Sequence, residues 1–297
     1  MVIIQIAGGV GNQLQQYALY QKFLSIGVDA RLDISWFDGL SHNTTTKREL
    51  EFGFFTDLNY KCCTLKEKEK LIGKAGFSGK IRRNILPGTI RLFTESEIYH
   101  PEIFTFTDMY LTGYFACEKY YADILPKLRK QIRFKPSPKQ ENQKTALEMT
   151  KHNSVAIHIR RGDYLNPENQ ALFGNICTEE YYESAIDYIS QRVDAPHFYL
   201  FSDDSEYIMS KYKGDNYTHI NWNKREDSIY DMYLMSCCKN IICANSTFSF
   251  WGARLNGNEG KIMVRPARHK NTQPIDKPTL LPLWQGWTLI DNDTVLT

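Results

Sequence analysis

Val155-Ala156-Ile157-His158-Ile159-Arg160-Arg161-Gly162-Asp163-Tyr164 decides how this chain is read. Val155, Ala156, Ile157 and Ile159 are β-branched or small, the composition of a buried strand. The strand breaks without a spacer into two arginines, a glycine and an aspartate. In an open α/β sheet, ligands bind beyond the carboxyl ends of the strands. Two guanidiniums placed there form a forked, permanently charged clamp suited to phosphate or pyrophosphate. The plainer alternative is a strand end whose arginines lie on the surface and pair with Asp163.

Downstream, the same half repeats the pattern. His197–Phe201 reads as a strand ending in Ser202-Asp203-Asp204, where a carboxylate can accept from a base edge or cap the next helix. Asn240–Cys243 reads as a strand, followed by Asn245-Ser246-Thr247 and a helix over Phe248–Leu255. Ser246 and Thr247 there supply donors for phosphate oxygens. Further strands are expected at Tyr217–Ile220 and Ile262–Val264, and helices at Thr178–Val193 and Glu226–Ser236. Strands alternating with helices predict a parallel, doubly wound sheet.

Upstream, Val2–Ile6 reads as a buried strand, Ala7-Gly8-Gly9-Val10-Gly11 as a glycine loop and Asn12–Ile26 as a helix, with Ala30–Ile34 a second strand. The loop lacks the third glycine of a dinucleotide fingerprint, because position 14 is Leu14. It also lacks the Gly-Lys-Ser/Thr of a P-loop. A helix start of this kind still offers N–H donors to an anion, and a tight turn explains it equally well. Tyr110–Phe115 is a further expected strand and Lys119–Ile132 a helix. Lys66-Glu67-Lys68-Glu69-Lys70 alternates in sign and reads as a solvated helix face.

Lys135-Pro136-Ser137-Pro138, followed by a polar run, marks the expected boundary between an amino-terminal domain (1–138) and a carboxy-terminal domain (139–297). The 297 residues suit two α/β halves with the ligand in a cleft between them. A net charge of +2 gives no footprint for nucleic acid. Seven cysteines without a C-x-x-C pair argue for reduced thiols and against zinc. No basic leader or membrane-length apolar run is present, so a cytoplasmic protein is expected. Lys80, Arg82, Arg83 and Arg91 read as a solvated loop, or in a sharper reading as a contact with an anionic membrane. Asp291-Asn292-Asp293 reads as a polar tail.

Taken together, Gly9-Val10-Gly11-Asn12-Gln13, His158-Ile159-Arg160-Arg161-Gly162-Asp163, Phe201-Ser202-Asp203-Asp204 and Asn245-Ser246-Thr247-Phe248-Ser249-Phe250-Trp251 fall in an order that resembles the α-1,2-fucosyltransferases of glycosyltransferase family 11. Gln15 stands where that family usually has Phe, and Phe250 where it often has Trp. The resemblance implies a GT-B fold of two Rossmann-like domains facing across a cleft. It implies inverting transfer from GDP-β-L-fucose to the 2-hydroxyl of a terminal galactoside, free or lipid-linked, with no cofactor and no metal. On that reading Arg160 binds the pyrophosphate and stabilises the leaving group, and Arg161 is a second clamp or a support for Asp163. His158 with Asp203 or Asp204 reads guanine, Ser246 and Thr247 hold phosphate oxygens, and Gly11, Asn12 and Gln13 close over the donor. Asp163 is the candidate base, although pairing with Arg161 would make it a poor proton acceptor. Another nucleotide-sugar transferase and a non-catalytic carbohydrate- or anion-binding protein are the alternatives.

Overall fold

The computed structural model describes residues 1–38, 48–56, 58–74, 90–96 and 98–296. Lys80, Arg82 and Arg83 of the basic segment lie outside the described residues; Arg91 pairs with Asp108 at 3.1 Å. The chain forms two compact units, Met1–Arg133 and Phe134–Thr297.

The first unit is built on β1 (Val2–Gln5), with β2 (Ala30–Asp33) on one side and β4 (Met109–Thr112) on the other, and β3 (Leu92–Thr94) beyond β4. All four run parallel. Val2, Ile3 and Ile4 are fully buried, as expected of a strand covered on both faces. Helix α1 (Val10–Ser25) follows the glycine loop. Its glutamines are buried: Gln16 accepts from the Ala7 N–H at 2.9 Å and donates to the Gly113 carbonyl at 2.8 Å. Gln15 donates to the Tyr114 carbonyl at 3.1 Å. These bonds fasten the helix to the loops that leave β1 and β4. Helix α2 (Leu65–Ile72) carries the alternating Lys/Glu run behind a Thr64–Glu67 capping box. Its face is not wholly solvated, because Lys68 reaches the buried Asp33 at 2.7 Å.

The expected helix over Lys119–Ile132 is shorter. Two single turns precede α3 (Leu125–Gln131), because Pro126 fits only in the first turn of a helix.

The second unit centres on β5 (Asn153–Ile159). Its seven strands add β6 (Pro196–Ser202), β7 (Tyr217–Ile220), β8 (Asn240–Ile242), β9 (Met263–Pro266), β10 (Trp287–Asp291) and β11 (Thr294–Leu296). The spatial order is β11-β10-β9-β8-β5-β6-β7. All neighbours are parallel except β10 and β11. Asp291-Asn292-Asp293 is therefore the turn of a terminal hairpin and not a tail, with Asn292 at φ 52°. From β5 the chain winds outward to β6 and β7, then returns to β8 on the other side of β5. The topological switch point lies between β5 and β8, and a ligand crevice is expected there.

Side chains from β5 serve both layers. Val155, Ile157 and Ile159 pack with Tyr181, Tyr182 and Ile189 of α6 (Glu179–Ser190) and Ile208 of α7 (Ser205–Lys211). Ala156 packs with Met149 of α4 (Gln140–Lys151), Leu234 and Met235 of α8 (Ile229–Cys237), and Phe250 of α9 (Thr247–Leu255). The polar run after the prolines is thus helix α4. Asn142 on it is fully buried, donating to Ser137 at 2.8 Å and to Asn223 at 2.9 Å and accepting from the Trp222 indole at 2.8 Å.

Candidate active site

Arg160 leaves the end of β5 and meets Asp203, which leaves the end of β6. Its Nη1 lies 2.9 Å from Asp203 Oδ2. The other oxygen, Oδ1, accepts the backbone N–H groups of Arg161 at 2.9 Å and Gly162 at 3.0 Å. Asp203 therefore grips both the side chain and the turn that presents it. Gly162 makes this possible: a Cβ there would sit 2.6 Å from Asp203 Oδ2.

Asp204 supports the second arginine. Its Oδ2 accepts from Arg161 Nε at 3.0 Å, while Oδ1 accepts from the Tyr207 N–H at 3.0 Å and caps α7. The cap, more than Arg161, holds the Asp204 carboxyl below the usual carboxylate range. The Arg161 guanidinium lies 3.8 Å from the centre of the Tyr207 ring. Both aspartates are thus engaged by the clamp.

His158 is 6% exposed. Burial, and after it the neighbouring Arg160, lower its pKa to about 3, against a smaller pull from Asp203. Its ring is neutral at physiological pH, and Nδ1 has no hydrogen-bond partner among the described residues. A neutral imidazole offers one donor and one acceptor to a ligand edge and cannot serve as a cation. Across the switch point, Ser246 caps α9 by accepting from the Phe248 N–H at 3.4 Å, and Thr247 opens that helix. Both are half-buried. Asp163 lies in the single turn Gly162–Leu165, and its side chain is outside the described set.

The two sides of the switch point are tied together. The Tyr164 hydroxyl donates to the main-chain carbonyl of Asn245 at 3.1 Å. Arg160, Arg161, Tyr164, Thr178, Tyr207 and Asn245 line a cavity of about 300 Å³ beside the clamp. In the first unit, Gly11 is buried and Asn12 half-buried in the opening turn of α1. Gln13 is fully buried, donating to the carbonyls of Gly8 and Glu49 at 2.9 Å each and accepting from the Glu51 N–H at 2.9 Å. Its amide is spent on holding the 49–51 segment against the glycine loop. Tyr207 was not among the residues singled out from sequence, and Asn245 stood there only as part of a motif, with no role of its own. The doubled aspartate beside a strand end was the available signal for the first, and the tyrosine of the arginine motif for the second.

Among the described residues, no group of three or more His, Cys, Asp or Glu side chains is arranged to hold a metal ion. All seven cysteines are free thiols. No helix of the described residues is long and apolar enough to cross a membrane.

Comparison with known proteins bears on the same region. The O-antigen biosynthesis glycosyltransferase WbnK of Escherichia coli is 30% identical over 292 residues, covering 89% of this chain and 93% of that protein. The alpha-1,2-colitosyltransferase of Escherichia coli is 30% identical over 286 residues, covering 90% and 91%. A crystal structure of the fucosyltransferase NodZ from Bradyrhizobium covers 84% of this chain and 91% of its own, at 12% identity and a TM-score of 0.45. The Glycosyl transferase family 11 model matches residues 95–287, a span containing the arginine pair, both supporting aspartates and the Ser246 helix cap. By that match and by the two full-length relatives, the chain is a member of glycosyltransferase family 11.

Proposed function

We propose that this protein transfers L-fucose from GDP-β-L-fucose to the 2-hydroxyl of a terminal galactoside, inverting the anomeric centre. The observation that carries the reading is Arg160, held by Asp203 at the end of the central strand beside the switch point. The acceptor oxygen bonds to C1 of the fucosyl group as the bond from C1 to the β-phosphate oxygen breaks. Negative charge then builds on GDP, and a fixed guanidinium stabilises it without reorganising. The acceptor proton leaves to a base that Asp163 supplies, or to solvent as the leaving group departs. Neutral His158 reads the guanine edge. Ser246 and Thr247 hold phosphate oxygens.

The reaction as proposed needs no metal. Supporting this, Asp203 and Asp204 are already bonded to arginines and backbone N–H groups. In keeping with the O-antigen relative, the acceptor is a galactose-terminated, lipid-linked glycan, worked on at the cytoplasmic face of the membrane. One observation favours a second donor. A relative 30% identical over most of both chains is named a colitosyltransferase. Colitose is fucose without its 3-hydroxyl, so the same clamp would serve it.

The test is turnover of GDP-fucose, GDP-colitose and GDP-mannose with a panel of terminal β-galactosides, with and without EDTA, followed by linkage analysis. An α-1,2 product that survives EDTA is expected. Turnover of GDP-mannose alone sinks the donor assignment, and loss of activity in EDTA sinks the metal-free mechanism.

A further inference from the structure

Asn245 lies three residues beyond the end of β8 and is 1% exposed. Its Nδ2 donates to the carbonyl of Phe173 at 3.0 Å and to that of His269 at 3.2 Å. Its Oδ1 accepts from the Cys177 thiol at 3.5 Å, and its main-chain carbonyl accepts from the Tyr164 hydroxyl at 3.1 Å. One residue therefore joins four segments: the turn after the arginines, the end of α5 (Pro167–Phe173), the approach to α6 and the loop after β9. These segments come from both sides of the switch point.

Aromatic rings repeat the connection. Tyr164 stacks on Phe173 with centroids 5.2 Å apart and planes 17° apart, and Phe173 meets His269 edge-on at 5.9 Å. The Arg160 guanidinium carbon is 5.7 Å from the centre of the Tyr164 ring. Asn271, in the loop after β9, adds bonds to the carbonyls of Ala171 and Gly174 at 3.0 Å each.

We propose that Asn245 is the positioning residue of the arginine clamp. Both donors of its amide and the side-chain oxygen are used inside the protein, so it fixes geometry and does not bind the donor itself. Its amide reaches Arg160 through the Phe173 backbone, the Phe173 ring on which Tyr164 stacks and the Tyr164 face beside the guanidinium, while its main-chain carbonyl holds the Tyr164 hydroxyl. Serine or alanine at this position keeps the main-chain bond to Tyr164 but leaves the Phe173 and His269 carbonyls without their donor, which frees the Phe173 ring under Tyr164 to shift. This role rests on the reading of Arg160 as the phosphate ligand.

The experiment measures kcat, both KM values, Tm, and the Kd for GDP by calorimetry, in wild type, Asn245→Ala, Arg160→Ala and the double variant. A misplacement of about 1 Å costs on the order of 100-fold in rate, so Asn245→Ala should lower kcat by about 10- to 100-fold. GDP binding should weaken, and the acceptor KM should stay within about twofold. Because the effect runs through Arg160, Asn245→Ala should cost less than about twofold when Arg160 is already alanine. An unchanged kcat, or equal losses in both backgrounds, refutes the role, since a general loss of stability would be additive. If Asn245→Ala does not fold, Tyr164→Phe removes only the phenol bond to Asn245. It should lower kcat in wild type and not in Arg160→Ala; no loss in wild type counts against the proposal. Wild-type protein that binds no GDP overturns the donor reading and this role with it. A variant that binds and turns over as wild type does overturns this role alone.

Discussion

Replacing Gly162 with alanine adds one methyl group, and the structure says where it would go. The new Cβ would lie 2.6 Å from Asp203 Oδ2 and 2.9 Å from its Cγ, whereas ordinary contact begins at 3.4 Å. The carboxylate must retreat by the difference between 3.4 and 2.6 Å, roughly 0.8 Å. That carboxylate holds Arg160 at 2.9 Å and the N–H groups of Arg161 and Gly162 at 2.9 and 3.0 Å. A shift of that size along any of these bonds carries it past hydrogen-bonding distance. Turning the carboxylate to save one bond breaks another. Hydrogen bonds to a charged group contribute about 1.5–3 kcal/mol each. The side chains of Arg160 and Asp203 are 29% and 26% exposed, so the low end of that range applies. Losing one or two bonds then costs about 1.5–3 kcal/mol, divided between stability and the aim of Arg160. The expected outcome is a kcat lower by about 10- to 100-fold and a Tm lower by several degrees. Steady-state kinetics with the nucleotide-sugar donor and a thermal melt measure both. The control is the double variant. With Asp203→Ala already in place nothing is left to clash with, so adding Gly162→Ala should change kcat by less than about twofold. Single-variant activity within twofold of wild type would refute the argument that the turn is built around Asp203.

Three further outcomes follow from the geometry. Arg160→Lys should recover little of the activity lost in Arg160→Ala, about 100-fold or more below wild type, because a lysine cannot both meet Asp203 and reach a phosphate fork; the comparison of kcat values checks this. Asp231 on α8 accepts from Asn223 at 2.8 Å, and burial raises its pKa to about 7, against the Asn223 bond and Lys139. Between about pH 4 and 7 the folded chain keeps this proton while the unfolded chain loses it. Its contribution to stability therefore falls as pH rises through that window, and Asp231→Asn should melt above wild type at pH 8 and level with it near pH 4. Gly252→Ala would place a Cβ 2.9 Å from the Met235 Cβ where α9 crosses α8, and should cost about 1–3 kcal/mol in denaturant unfolding.

The central strand and the arginines at its end were legible in the sequence because a strand buried on both faces leaves an unbroken apolar run, and Arg160-Arg161 interrupts it abruptly. The α/β class followed from the same alternation. What the sequence concealed has local causes. Helix α4 reads as a linker because Asn142, the residue that anchors it, is buried through hydrogen bonds and not through hydrophobicity. Helix α5 begins at Asn166-Pro167, where proline reads as a breaker but serves as the first-turn residue. The hairpin of β10 and β11 hides behind Asp291-Asn292-Asp293, a polar triplet followed by a last strand of only three residues. Asp203 and Asp204 stand out in the sequence as candidates, but their partners do not. Whether a carboxylate after one strand faces a ligand or an arginine from the next is decided by strand order, which a single sequence does not state.

The glutamines of α1 have a practical consequence for anyone altering this protein. Gln13, Gln15, Gln16 and Gln21 have the residue type that surface-engineering schemes choose first, yet each is at most 5% exposed. Changing Gln16 to Glu, a routine step toward greater solubility, would turn an amide that donates to the Gly113 carbonyl into a buried anion facing that carbonyl. A mutational library drawn by hydropathy would spend its diversity on buried, hydrogen-bonded amides. One drawn by counting satisfied amides would leave the four glutamines untouched and move its variation to Leu24 and Ser25 at the helix end, which are solvent-exposed.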